Sequence, residues 1–298
     1  MRPAQAAARP RTGTRVTPSV LAEKKALGEP IVMVTAYDYP SASVAETASV
    51  DVVLVGDSAA TTVLGYPSTL AISIEEMLML ASAARRALET PLLVADLPFG
   101  SYEASNELAI ASAQRFLKEA GCDAVKLERG GTSARRAQAM VAAGIPVMGH
   151  VGLTPQTATG LGGYRLQGRT AERALEIANE AFELESAGCF AIVLEAIPSE
   201  LTDAIVERLA IPTIGIGAGA STDGQVLVFH DLLAIHDGHV GRFVKRYASI
   251  REAMVEGVAA YATDVRERRY PEAAHGYTMA PEEAARLGRL MRDGETSS

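Results

Sequence analysis

Six ionisable side chains recur where short apolar runs of this chain stop. They stand in Val55-Gly-Asp57-Ser58, Val94-Ala-Asp96, Val125-Lys126-Leu-Glu128, Met148-Gly-His150 and Val193-Leu-Glu195. Each has an ordinary explanation when taken alone. An aspartate after a strand often caps the next helix, a histidine before a loop is often a satisfied hydrogen bonder, and a glutamate can pair with an arginine at a rim. Lys126 resists that treatment, because residues two apart on a strand share a face and Lys126 therefore sides with Glu128. The ordinary explanations would have to hold at five places at once. Brought to one mouth, an oxygen-rich set with one histidine and no cysteine favours a hard cation, Mg2+ before Zn2+. Asp57 and Asp96 are the natural pair of ligands. A cation with open positions chelates a 2-keto acid and stabilises the enolate formed when a carbon-bound proton leaves. That reaction needs a base off the metal, and Glu195, on a different strand and preceded by the apolar Ala191-Ile-Val-Leu194, is a candidate.

The elements that would position these residues follow from the hydrophobic pattern. Eight β-branched runs bounded by Gly, Pro or Asp read as strands: Ile31–Ala36, Val52–Gly56, Leu92–Ala95, Ala124–Leu127, Ile145–Gly149, Ala191–Leu194, Thr213–Ile216 and Leu232–Ile235. Most are apolar without alternation, as in parallel strands covered on both faces. Helical spacing fills Glu75–Leu88, Glu103–Ala120, Ala134–Ala143, Ala171–Ala187 and Leu201–Leu209. Gly121, Gly144 and Gly188 follow alanines where a helix C-cap needs a left-handed residue. One internal echo, Glu119-Ala-Gly-Cys-Asp-Ala-Val-Lys-Leu-Glu128 against Ser186-Ala-Gly-Cys-Phe-Ala-Ile-Val-Leu-Glu195, marks a repeated βα unit. Such alternation, about eight of each element, predicts an α/β fold, a (β/α)8 TIM barrel. A doubly wound sheet is disfavoured: no dinucleotide fingerprint follows the first strand, and Gly215-Ile-Gly-Ala-Gly219 has the wrong spacing.

Composition agrees. The 298 residues are 48% hydrophobic and 21% charged, which excludes collagen-like, coiled-coil and disordered classes. A net charge of −8 offers no field for nucleic acid. Cys122 and Cys189 are too few for a disulfide framework and sit at strand starts as small buried residues. Residues 1–20 hold four arginines and no acid, without the serines of a transit peptide, and read as a disordered tail. The uncharged run Ala137–Tyr164 is broken by Gly144, Pro146, Gly149 and Pro155 and so is no membrane span. The expectation is a cytoplasmic protein with a catalytic domain over 21–270 and a partly helical extension over 271–298, including a helix at Pro281–Met291.

At these residues the sequence resembles the ketopantoate hydroxymethyltransferase family. The likeness runs from Thr35-Ala-Tyr-Asp38 to Tyr270-Pro271. It passes through Val55-Gly-Asp-Ser58, Thr62-Val-Leu-Gly65, Ala95-Asp-Leu-Pro-Phe99, Val125-Lys-Leu-Glu128 and Gly149-His-Val-Gly-Leu-Thr-Pro-Gln156. Gly162-Gly-Tyr164, Val193-Leu-Glu195, Ile214-Gly-Ile-Gly-Ala-Gly219 and Thr222-Asp-Gly-Gln225 continue it. The resemblance implies a barrel of the phosphoenolpyruvate/pyruvate-enzyme type, assembled as a homodecamer. It implies Mg2+ on Asp57 and Asp96, with Glu128 ligating directly or through water. Asp57, Ser58, Asp96, Lys126 and His150 would line the keto-acid site, and Glu195 would accept the proton at C3. It further implies 5,10-methylenetetrahydrofolate as cosubstrate in pantothenate synthesis, for which composition and spacing give no argument. Two alternatives stand beside it: a Mg2+-dependent carbon–carbon lyase of the isocitrate-lyase kind, whose cysteine-bearing loop motif is not seen here, and a catalytically silent barrel scaffold. The chain departs from the family pattern at Arg129, inserted before Gly130-Gly131, and at Ala59-Ala60, where a Leu-Gly pair is usual. The tail beyond Met279 is longer than in shorter members.

Overall fold

A computed structural model describes residues 14–157, 160, 165–236, 238 and 240–295. The segment Gly162-Gly-Tyr164 lies outside the described residues. The strands are β1 (Ile31–Thr35), β2 (Val52–Val55), β3 (Leu92–Asp96), β4 (Ala124–Lys126), β5 (Val147–Gly152), β6 (Ala191–Glu195), β7 (Thr213–Ile216) and β8 (Gly224–Leu227). All pair in parallel with their sequence neighbours, and β8 returns to β1, so the sheet is a closed barrel. The helices among the described residues are α1 (Pro18–Leu27), α2 (Tyr39–Thr47), α3 (Ala59–Thr62), α4 (Ile74–Arg85), α5 (Asn106–Lys118), α6 (Thr132–Ala142), α7 (Ala171–Ser186), α8 (Ser199–Val206), α9 (Phe229–Leu232), α10 (Ile250–Arg266) and α11 (Pro281–Glu295).

Local chemistry sets the helix ends. Asp38 and Ser73 each form a capping box, with Ser41 and Glu76, and Ser105 and Thr170 accept a first-turn N–H. Gly121, Gly144 and Gly188 adopt the left-handed conformation expected of them, at φ 70°, 83° and 93°.

Strand periodicity divides the core in two. Met33, Leu54, Val94, Ala124, Met148, Val193 and Ile214 pack inside the barrel. Val53, Leu93, Val125, Val147, Ile192 and Leu194 face outward onto helix residues such as Ala81, Ala113, Met140, Ala181 and Ile205. Continued by two, the inward series reaches Asp96 from Val94, Lys126 from Ala124, His150 from Met148 and Glu195 from Val193. The mouth is thus the polar top layer of the barrel interior, at the strand C-termini.

The structure corrects the sequence reading at three places. Leu232–Ile235 is not the eighth strand; it is the end of α9 and the turn after it. The true β8, Gly-Gln-Val-Leu, hides its nature because Gln225 is exposed and Gly224 is required by packing: a Cβ there would lie 2.4 Å from the Ile31 carbonyl oxygen. Residues 217–223 join β7 to β8 without a helix, so the strict alternation lapses once. Finally, β5 runs on to Gly152, which pairs with Glu195, so His150 lies inside a strand rather than at its end.

A second compact unit begins at Ser249 and contains α10 and α11. No residue of α10 is buried; Met254, Val258 and Tyr261 are exposed.

Candidate active site

Register assembles the acidic side of the mouth. Asp96 pairs with Lys126 across β3 and β4, and Lys126 Nζ stands 2.7 Å from Asp96 Oδ1. The loop after β2 turns Asp57 toward the same place, its backbone N–H donating to Asp96 Oδ2 at 3.0 Å. Gly56 permits this approach: a Cβ there would lie 2.9 Å from Ser58 Oγ and 3.4 Å from Asp96 Oδ2. Glu128, just past β4, accepts the Gln156 N–H at 3.1 Å. Asp57, Asp96, Lys126, Glu128 and His150 are each at most 4% exposed.

His150 joins that side to the sixth strand. Its Nδ1 is 3.3 Å from Lys126 Nζ and 3.5 Å from Glu128 Oε1, and its Nε2 is 3.1 Å from Glu195 Oε2. The Lys126–Asp96 and His150–Glu195 approaches are charge contacts whose angles fall short of a hydrogen bond. Glu195, at 16% side-chain exposure, is the most open of the ionisable set. Ser58 shares a 2.8 Å hydrogen bond with the Tyr37 hydroxyl at the edge of the mouth.

The electrostatics show what this arrangement lacks. Burial and then the neighbouring Asp96 and Glu128 hold the Asp57 carboxyl well above the ordinary carboxylate range, against the pull of Lys126 and Gln156. Burial lowers Lys126, yet Asp96, Glu128 and Asp57 outweigh it and keep the ammonium charged. Burial and Lys126 likewise depress His150, but its contacts with Glu128 and Glu195 lift it to about 9. Four carboxyl groups therefore face two basic side chains in a nearly dry site. A divalent cation matches that excess, and Mg2+, which takes one or two carboxylates and keeps waters, fits the oxygen donors present. Among the described residues no group of three or more His, Cys, Asp or Glu is arranged to hold a metal ion, so a cation here would rest on one or two carboxylates and keep its other positions for water and substrate. The open hollows between α6 and α7, and beside the starts of β1 and β8, contain none of the six ionisable side chains.

All the residues read from sequence converge here: Asp57, Ser58, Asp96, Lys126, Glu128, His150 and Glu195. Three others went unassigned. Tyr37 holds Ser58, while Tyr102 and Gln156 reach the acidic cluster from loops. Gln156 closes a quoted motif, but its partners are set by chain folding rather than spacing.

The profile of the family described as ketopantoate hydroxymethyltransferase matches residues 15–273. The chain belongs to the ketopantoate hydroxymethyltransferase family. Among relatives named 3-methyl-2-oxobutanoate hydroxymethyltransferase, that of Carboxydothermus hydrogenoformans is 50% identical over 92% of this chain and 99% of its own length. That of Geobacillus kaustophilus is 49% identical over 87% and 93%. Solved structures show the same barrel at low identity. Phosphonopyruvate hydrolase in complex with oxalate and Mg2+ superposes with a TM-score of 0.59 at 15% identity, covering 95% of this chain and 99% of that one. 2,3-Dimethylmalate lyase, of the PEP mutase/isocitrate lyase superfamily, gives 0.53 at 17% identity over 94% and 98%. The lyase alternative therefore shares the fold of the ketopantoate hydroxymethyltransferase family, whereas the sequence relatives carry the transferase name. Among the described residues no helix is long and apolar enough to cross a membrane.

Proposed function

We propose that this protein transfers a hydroxymethyl group to 3-methyl-2-oxobutanoate from 5,10-methylenetetrahydrofolate, giving 2-dehydropantoate and tetrahydrofolate, with water supplying the hydroxyl. The observation that carries the reading is the division of one barrel mouth. An over-acidic half built from Asp57, Asp96 and Glu128 faces Glu195 across His150. Asp57 and Asp96 would hold Mg2+, with Glu128 ligating directly or through water. When bound, the cation polarises the keto-acid carbonyl and supports the negative charge that develops on its oxygen.

The chain's own groups do the rest. Lys126 and Ser58 orient the carboxylate of the keto acid. Glu195 stands apart from the acidic half and is open enough to reach substrate; it takes the proton from C3. His150, charged up to about pH 9, lines the site and holds Glu195 in place through its Nε2. Water splits both carbon–nitrogen bonds of the folate's methylene bridge, its hydrogens ending on the two nitrogens and its oxygen on the methylene carbon; the nucleophilic C3 bonds to that carbon, and the proton taken by Glu195 ends on the new hydroxyl.

The exposed apolar residues of α10 support association with further copies of the chain, and the family resemblance argues for a decamer in the cytoplasm. Light scattering of the purified protein tests the first point. For the reaction, the keto acid and the methylene folate are incubated with the enzyme, and 2-dehydropantoate is followed by mass spectrometry. Product that disappears with a chelator and returns with Mg2+ is expected. No product from folded, Mg2+-supplied protein would overturn the assignment.

A further inference from the structure

Gln156 carries no charge, is 4% exposed, and touches the acidic cluster at two points. Its backbone N–H donates to Glu128 Oε2 at 3.1 Å. Its side-chain Nε2 donates to Asp57 Oδ2 at 3.0 Å and to the Leu97 carbonyl at 2.9 Å. Its Oε1 accepts from the Tyr102 hydroxyl at 2.8 Å, and that hydroxyl in turn accepts the Glu128 N–H at 3.4 Å.

An amide could in principle face either way, since its oxygen and nitrogen have the same shape. Here the alternatives are unequal. Turned over, Oε1 would meet the Leu97 carbonyl, which can only accept, and the 2.9 Å bond to it would be lost. Tyr102 supports the observed sense: its oxygen already accepts the Glu128 N–H, and its proton goes to Gln156 Oε1. That phenol is only 2% exposed, so no water competes for the bond.

We propose that Gln156, with its amide sense set by Leu97 and Tyr102, is a positioning residue for the divalent cation. It ties down Oδ2 of Asp57 and Oε2 of Glu128 and so fixes how the two carboxylates that would hold the cation face the mouth. The inference rests on the cation reading of the site and deepens it. Groups of this kind, which orient the residues that touch a metal, typically change metal affinity or activity by about 10–100-fold when removed.

The test is isothermal titration of Mg2+ alone into the metal-free full-length protein, the Gln156→Leu variant and the Tyr102→Phe variant. Mn2+ electron paramagnetic resonance reports the coordination of the bound ion. The wild type should bind. Gln156→Leu should weaken binding by about 10–100-fold, and Tyr102→Phe should weaken it by a smaller factor, its activity being restored by excess Mg2+. Both should alter the Mn2+ spectrum. A purely structural role would lower the folded fraction and leave the affinity and spectrum of the folded molecules unchanged, and that result overturns the proposal. Should Gln156→Leu fail to fold, Tyr102→Phe decides by the same criteria. A wild type that binds neither ion overturns the cation reading and the positioning role together.

Discussion

The strand ends of β4 and β6 are built from the same text and are put to different uses. Each follows a helix closed by a left-handed glycine, then a cysteine, then a short strand leading to Leu-Glu. Each glutamate is followed by a non-glycine residue at positive φ, Arg129 at 73° and Ala196 at 46°. Each glutamate also reaches His150, one from either side of the ring. The difference lies in what surrounds them. Glu128 is 3% exposed, accepts the Gln156 N–H, and has Lys126 two residues before it, with Asp57 and Asp96 near. Glu195 is more open, and Val193 stands where Lys126 would be. One backbone device thus presents a carboxylate twice, and on the proposed reading the neighbours set one to help hold a cation and the other to take a proton.

The comparison breaks most visibly if Glu195→Gln is harmless. General-base catalysis contributes about 10²–10⁴-fold, so product formation should fall by that order while titrated Mg2+ affinity is unchanged. Glu128→Gln should do the reverse. Mg2+ affinity should fall by about 10–100-fold, as when groups around a metal are altered, and excess Mg2+ should recover much of the turnover. If the two variants behave alike, the division of labour is wrong.

A smaller effect tests the shared backbone device. A left-handed non-glycine residue costs about 1–2 kcal/mol, and glycine's looser unfolded chain takes back about 0.4–1 kcal/mol. Ala196→Gly and Arg129→Gly should each leave stability level or raise it, by up to about 1.5 kcal/mol in urea unfolding. A clear loss at either site would show that its side chain matters more than its backbone. The smallest effect concerns the echoed cysteines. Burial pushes both thiols up to about 12, so neither Cys122 nor Cys189 should react with a disulfide reagent at pH 8 until denaturant is added. Rapid labelling of one alone would mean that the two strand starts are not packed alike.

How much of this was legible in the sequence follows from the range of the forces involved. Five of the six ionisable positions, Asp96, Lys126, Glu128, His150 and Glu195, were legible because each inherits its place from its own strand, through a two-residue alternation that is local; Asp57 is off that series and is turned in by the loop after β2. The glycines that close three helices, Gly121, Gly144 and Gly188, were legible because their signal is local too. β8 was not, since its four residues include a glycine demanded by the Ile31 carbonyl and an exposed glutamine, and neither gives an apolar signal. His150 was placed at a strand end because the extension of β5 depends on pairing with β6. Gln156 and Tyr102 were illegible as a pair, being 54 positions apart and joined only by folded loops. The folate site has no counterpart in spacing or composition; its expectation came from family likeness.

The central claim is that the β6 glutamate removes the C3 proton while the acidic half holds a cation. The most direct measurement is hydrogen–deuterium exchange at C3 of 3-methyl-2-oxobutanoate, followed by NMR in D2O with tetrahydrofolate present. Wild type, Glu195→Gln and chelator-treated wild type are compared. Exchange in the wild type that is lost in Glu195→Gln, lost with chelator and restored by Mg2+ is the predicted result. Exchange at the wild-type rate in Glu195→Gln, or exchange indifferent to chelation, would contradict the account.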